Sequence, residues 1–378
     1  MKAGWVISTL GETCEMYQPK TITAKEMTLD GPYPVFGANG VIGRFDQFNH
    51  EEPQLLITCR GATCGTVNVS DPKSWITGNA MVVRPKEKNI DLRFLEYLFR
   101  GGLDIAPAIT GAAQPQITRT NLNPIQIRYP VDFSEQQRIV TLLDEAFDGI
   151  ATARAHAEKN LQNARAIFES HLQSVFTQGG LEWSRRKLKE ICEKITDGTH
   201  QTPTYFQEGT VFLSSRNVTS GKIDWEKIKY IDEAQHLQMH KRVAPRMGDI
   251  LLAKNGTTGV AAMVDREVVF DIYVSLALLR AREEIVPDLL LYFVNSPVAK
   301  AQFNKRLKGS GVPNLHLEEI REVEISFPTS EAEQRALLQS LDSIASETQR
   351  LESLYRRKLT ALDELKKSLL DQAFSGAL

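Results

Sequence analysis

The sequence predicts an α+β protein. Two mixed α/β domains are separated by two long antiparallel coiled-coil helices, and a pseudo-twofold internal repeat relates the halves. Three observations predict this. The second half replays the first at a near-fixed offset of 198: Glu135-Gln136 returns as Glu333-Gln334, Leu143-Asp144 as Leu341-Asp342, and Leu172 and Phe176 as Leu370 and Phe374. Each copy is a globular-type stretch followed by a helical one, and the offset drifts only in the globular parts, where loops absorb insertions. The helical stretches carry apolar residues at three-four spacing over several heptads.

The expected boundaries are 1–133 and 181–329 for the domains, and 134–180 and 330–378 for the helical spacers. In the first domain Leu55–Thr58 and Ala80–Val83 read as short apolar strands, with Gly61 and Gly65 marking a tight turn. Phe94–Phe99 reads as a short helix, and Ile125-Gln126-Ile127 before Pro130 as a closing strand. The second domain repeats this order with Ile250–Ala253, the Gly256–Gly259 turn, Ala261–Val264, Leu276–Arg280, Leu289–Phe293 and the closing strand Val323–Pro328.

Ser134 is the expected N-cap of the first long helix, with Gly179-Gly180 ending it. Ser330 with Glu333 fits a capping box for the second. The expected seams are Ile139, Leu143, Ala146, Ile150, Ala153, Ala157, Ala164 and Phe168 in one, and Leu337, Leu341, Ile344, Thr348, Leu351, Tyr355, Leu362 and Leu369 in the other. Neither stretch contains proline, so neither is forced to kink.

Composition narrows the function. A chain of 378 residues is long enough for two cores. It has no apolar run long enough to span a membrane. Its start, Met1-Lys2-Ala3-Gly4-Trp5, lacks an apolar signal core, which points to the cytoplasm. Cys14, Cys59, Cys64 and Cys192 are irregularly spaced and read as ordinary reduced thiols. Net charge is −2, and no segment is strongly basic: 1–133 carries 13 basic and 13 acidic residues, and 181–329 carries 21 and 20. A DNA binder of this charge needs a partner to supply much of the attraction, or a basic face offset by acid elsewhere.

No catalytic constellation is visible. There is no Walker loop. The glycine turns Arg60–Gly65 and Asn255–Gly259 are too short for a dinucleotide fingerprint. They fit hairpins needing positive φ, and equally loops whose N–H groups and threonine hydroxyls, Thr257 and Thr258 among them, approach a phosphate. His236 and His240 sit four apart with no evident third ligand, and read as a solvated pair; no metal site is expected.

Several ordered segments resemble the specificity subunit of type I restriction-modification enzymes. In the second domain they are Leu188–Ile191, Ile195–His200, Gly248–Leu252 with Gly256–Gly259, and Gly309–Leu315. In the first they are Tyr33–Gly40 and Gly111–Ile117. Each helix opens with the family's Glu-Gln pair. The resemblance implies two target recognition domains, each reading one half of a split double-stranded DNA target, on an antiparallel coiled coil that also docks two DNA methyltransferase subunits. Motor-nuclease subunits would complete the enzyme. S-adenosylmethionine, ATP and magnesium would bind those partners, with none bound by this chain, which would be non-catalytic. Tyr33–Gly43 has no close counterpart in the second half, and Asp197–Pro203 none in the first, so the half-sites are expected to differ. A coiled-coil adaptor binding proteins is the alternative reading.

Arg and Lys suit guanine edges, and Asn and Gln suit adenine. On loops expected near DNA the candidates are Lys20, Asn39, Arg44, Arg60, Gln114 and Gln116 in the first domain. In the second they are Thr199, His200, Gln201, Arg216, Asn217, Lys254, Asn255 and Asn314, with Thr257 and Thr258 for phosphate. Each alone also fits a solvated loop residue; the set is expected to contain true contacts.

Overall fold

A computed structural model describes residues 4–87, 89–180, 182–308 and 313–378. Gly309, Ser310, Gly311 and Val312, part of a segment carrying the resemblance, lie outside the described residues, as do Met1, Lys2 and Ala3. The chain divides into two compact units: residues 1–158 with 356–378, and residues 159–355. Each unit holds one globular domain and part of both long helices.

In the first unit a four-stranded antiparallel sheet runs in the order Cys14–Tyr17, Ala80–Pro85, Leu55–Thr58, Val67–Val69. A three-stranded sheet places Tyr33–Gly37 between Gly40–Phe45, antiparallel, and Trp75–Ile76, parallel. Trp5–Thr9 pairs antiparallel with the closing strand Gln126–Pro130. Strand Leu55–Thr58 is buried on both faces, as a central strand covered on each side must be.

The second unit repeats each part. Its four-stranded sheet is Cys192–Asp197, Leu276–Ala281, Ile250–Ala253, Ala261–Met263. Its three-stranded sheet places Thr210–Leu213 between Lys229–Ile231, antiparallel, and Phe270–Ile272, parallel. Trp183–Lys187 pairs with Glu324–Pro328. The expectation that Tyr33–Gly43 lacks a counterpart is therefore corrected: Thr210–Leu213 with Lys229–Ile231 matches it in pairing. The first copy closes its hairpin over Ala38 and Asn39, whereas the second detours through residues 214–228, so the two sequences do not align. Asp197 likewise ends a strand equivalent to Cys14–Tyr17.

The long helices are Phe133–Gln178 and Glu331–Ser375. The first starts one residue before the expected Ser134. Asp132 caps it, its carboxylate accepting from Ser134 N at 2.9 Å and from Ser134 Oγ at 2.8 Å. Gly179, at φ +62°, ends it as a left-handed C-terminal glycine. Ile139, Leu143, Ala157 and Ala164 of the predicted seam are buried, as are Leu341 and Thr348 of the other. Within the first unit, Arg154 pairs with Asp363 at 2.5 Å and Lys366 lies over the Phe147 ring. One helix ascends in number as the other descends, so the pairing is antiparallel.

Each globular core takes in both helices. Ile139, Leu143, Leu370, Ala373 and Phe374 join the first core. Leu172, Phe176, Leu338 and Leu341 join the second. The helix Leu92–Tyr97 continues as a single wide turn, Leu98–Gly102, against the second long helix. A Cβ on Gly101 or Gly102 would collide with Leu370 or Phe374, so the close approach requires glycine there.

Candidate nucleic-acid interface

The glycine turns are built alike in both units. In the first, Gly61 and Gly65 take φ of +88° and +90°. Gly65 N donates to Thr58 O, Gly61 N donates to Pro115 O, and Arg60 bridges backbone-to-backbone with Gln116. In the second, Gly256 and Gly259 take φ of +76° and +81°. Gly259 N donates to Ala253 O, and Asn255 bridges Asn314 in the same antiparallel sense. The frame is shared, but the side chains it displays are Arg60 and Gln116 in one unit and Asn255 and Asn314 in the other.

Around the second frame lies an open cleft of about 610 Å³ lined by Asp197, His200, Arg242, Lys254, Asn255 and Asn314, with His316 and Arg321 beside them. Asp197 is its hub. This buried carboxylate accepts from Arg242 Nη2 at 2.7 Å, lies 3.3 Å from Lys254 Nζ, and is 3.3 Å from His200 Nε2. Burial raises the Asp197 carboxyl, but the Arg242 hydrogen bond, the Lys254 charge and His200 outweigh it, and its pKa lies below the ordinary value. With Glu318 also in the lining, three cationic side chains, Arg242, Lys254 and Arg321, face two carboxylates, a slight positive excess. The Oδ1 atoms of Asn255 and Asn314 are buried without a hydrogen-bond partner. An orphaned buried acceptor costs about 1–3 kcal/mol, a cost that a ligand donor or a side-chain adjustment on binding removes.

The other candidates fall into distinct settings. Thr199 is buried, its N–H on Ile272 O and its hydroxyl accepting from Gln201 N. His200 is exposed in the cleft lining, and Gln201 is exposed next to it in the chain. Thr257 is exposed on the glycine turn, and Thr258 is half-buried, its N–H on Gly256 O. Arg216 is exposed on the short turn Ser215–Asn217. Asn217 corrects its expected placement: it is buried, its Oδ1 accepts from Ser214 N, and its Nδ2 donates to Asp224 O and Lys227 O. Its amide braces the 214–228 loop and presents nothing outward. Lys254 is likewise buried on Asp197 and contributes charge to the cleft floor, not a free ammonium.

In the first unit Asn39 joins the glycine turn: Thr58 Oγ1 donates to its Oδ1 at 3.0 Å, and its Nδ2 donates to Thr63 Oγ1 at 2.8 Å. Arg60, Gln114 and Gln116 are exposed around it. Lys20 is exposed on the loop after Cys14–Tyr17, whose Gln18 is tied to Gly78 O. Arg44 lies on a strand, not a loop, and its guanidinium is spent on the Gly31 and Pro32 carbonyls at 2.5 and 2.6 Å.

Sequence reasoning missed three cleft residues and the reason for the Glu-Gln pair. Arg242, His316 and Arg321 have no local signature; only the fold brings them into the cleft around Asp197. Gln136 is fully buried and grips its domain through three bonds: Oε1 accepts from Asp91 N, and Nε2 donates to Asn89 O and Pro130 O, each at 2.8 Å. Gln334 makes the same three, to Val286 N, Glu284 O and Pro328 O. His236 and His240 are not a solvated pair. Both bond the buried Asp271 carboxylate, at 2.7 and 3.1 Å. The four cysteines are unpaired, and burial pushes the Cys14 thiol up to about 11 and Cys192 to about 12. No helix of the described residues is long and apolar enough to cross a membrane.

A specificity subunit of the type I enzyme MjaVIII from Methanocaldococcus jannaschii is 22% identical over 408 aligned positions, covering 99% of this chain and 93% of that protein. A putative type I specificity subunit from Haemophilus influenzae is 24% identical, covering 85% and 82%. Among solved structures, a chain from a study of type I R-M complex assembly and conformational transition superimposes with a TM-score of 0.81 at 19% identity, covering 100% of this chain and 99% of that one. The HsdS subunit of Thermoanaerobacter tengcongensis gives 0.62 at 18%, covering 100% and 98%. At such identities these likenesses speak for the fold. The family described as the type I restriction modification DNA specificity domain matches residues 2–161 and again 181–356, and the chain belongs to that family.

Proposed function

We propose that this chain reads a split, asymmetric double-stranded DNA target, one half-site per domain, and leaves the chemistry to partner subunits. The carrying observation is the shared backbone frame displaying different side chains, Arg60 and Gln116 against Asn255 and Asn314. A fixed frame with exchangeable readers is what two different half-sites need, because phosphate contacts position a protein while base-edge contacts specify. In the second domain the readers are His200, Gln201, Asn255 and Asn314, with Arg242, Arg321 and the buried Lys254 supplying positive field. In the first they are Asn39, Arg60, Gln114 and Gln116, with Lys20 on the flank. Arg216, Thr257 and Thr258 suit the phosphate backbone.

The near-neutral chain supports a shared load, in which two methyltransferase subunits docked on the long helices supply much of the phosphate contact. They would carry S-adenosylmethionine, and motor-nuclease subunits ATP and magnesium. The test is a hydroxyl-radical footprint of genomic fragments by this chain together with its methyltransferase. Two protected patches of unrelated sequence, separated by an unprotected spacer of fixed length, are expected. Uniform protection, or one continuous patch, refutes the reading. Asn255→Ala with Asn314→Ala is expected to relax one half-site by about 1–3 kcal/mol per lost base contact and leave the other unchanged.

A further inference from the structure

We propose that His236, His240 and Asp271 bind a divalent first-row transition-metal ion of the zinc type, which fastens helix Glu233–His240 to the second domain's recognition face. The donor atoms converge. His236 Nδ1 lies 2.7 Å from Asp271 Oδ2 and His240 Nδ1 lies 3.1 Å from Asp271 Oδ1. One ligand atom from each of the three residues falls within 4.8 Å of the others. A tetrahedral zinc with bonds of about 2.0–2.1 Å spaces its ligands about 3.3 Å apart, so a small widening of this clasp admits the ion. Two imidazoles and one carboxylate form the three-ligand set of open zinc sites, and His240, 31% exposed, leaves room for water as the fourth ligand.

Charge argues for the ion. Among the described residues, the buried acidic side chains are Glu96, Asp197, Asp249 and Asp271. Glu96 pairs with Arg93 and Arg100, Asp197 with Arg242, and Asp249 with Arg280. Asp271, 1% exposed, has imidazoles alone. A divalent cation held among these three side chains would compensate the buried carboxylate.

The helix argues for it too. Glu233–His240 buries no residue, and Leu237 is 55% exposed, so apolar packing does not hold it down. What does is Asp271, through two histidines that the helical period places on one face, together with Gln235, bonded to Thr204 N and O. The helix leads directly into Arg242, the cleft arginine on Asp197. Asp271 adjoins Ile272, whose carbonyl takes the Thr199 N–H. An ion here would set both the Arg242 and the Thr199–Gln201 sides of the cleft. Coordination uses neutral imidazole nitrogens, so each Nδ1 proton leaves, to Nε2 or to solvent, as the metal–nitrogen bond forms.

The site is independent of whether the cleft reads DNA, and so is its test. The full chain, stripped with a chelator, is dialysed against Zn²⁺ and its bound metal quantified. One zinc per chain is expected, with loss in the double variant His236→Gln, His240→Gln, whose fold is checked by circular dichroism. Co²⁺ loaded into the wild-type chain reports the ligands without mutation: a nitrogen–oxygen spectrum is expected. No zinc uptake, unchanged uptake by a folded double variant, a thiolate charge-transfer band from cobalt, or equal competition by Mg²⁺ each overturns the proposal.

Discussion

Gln136 and Gln334 show how one residue type can fix a junction between helix and domain. Each amide satisfies one backbone N–H and two carbonyls in a dry setting. Gln334→Ala leaves three buried groups unpaired, and the expected loss is about 2–4 kcal/mol in urea unfolding. Gln334→Glu keeps the acceptor for Val286 N but cannot donate, so it should be at least as damaging; a loss under about 0.5 kcal/mol for both would remove the clamp from the account. Asp197 gives a pH signature. Its carboxyl is held below the ordinary value, so its stabilisation is present above the usual carboxylate range and fades as acid passes the lowered folded value. Asp197→Asn should flatten the acid limb of the second unit's stability curve, and an unchanged limb would contradict the assignment of Asp197 as hub. The sequence showed the Glu-Gln pair as a repeated signature but not its use, because all three partners of each glutamine lie outside the helix.

At the scale of elements, the glycine turn is where stability and recognition separate. A Cβ on Gly256 would meet nothing within 4 Å, so Gly256→Ala costs only the left-handed backbone, roughly 1–2 kcal/mol. The same change moves Asn255 and Thr257, which the DNA reading places at the ligand. Gly256→Ala is thus expected to weaken specific DNA binding by more than it destabilises the fold. Equal losses in the two measurements would make the turn merely structural. The strands Leu55–Thr58, Ala80–Pro85, Ile250–Ala253, Ala261–Met263 and Leu276–Ala281, the turns and the long helices were legible because their signals are local: apolar runs, glycine, a three-four period; the strands Cys14–Tyr17, Val67–Val69 and Cys192–Asp197 that complete the four-stranded sheets carry no such signal and were not. The three-stranded sheets were not, since the strand Thr210–Leu213 pairs with segments far along the chain and its first-half equivalent closes by a different loop. The His236–His240–Asp271 cluster was hidden for the same reason: its third member lies 31 residues on, on a strand that no pattern ties to the helix. Asn217 misled in the opposite direction, a loop asparagine in sequence but a buried brace in the fold.

For the whole molecule, the proposed reading of one half-site per domain makes helix length the quantity that would set the spacer between them. Two helices of 46 and 45 residues run antiparallel within each unit, and neither contains proline. If these helices are the yardstick, four residues inserted into each at positions matched by the repeat add about 6 Å of rise and about 40° of rotation. One base pair contributes about 3.4 Å and about 35° of turn in the same right-handed sense. The rotation is met by one added base pair and the rise by about two. The preferred spacer should therefore lengthen by one or two base pairs while both half-site sequences stay the same. Sequencing of methylated sites in cells carrying the inserted chain, with its methyltransferase, reads both quantities together. An unchanged spacer would show that the helices do not set the distance. Altered half-sites would show that the readers are not confined to the globular domains, and either result would break the division between ruler and readers on which the DNA reading rests.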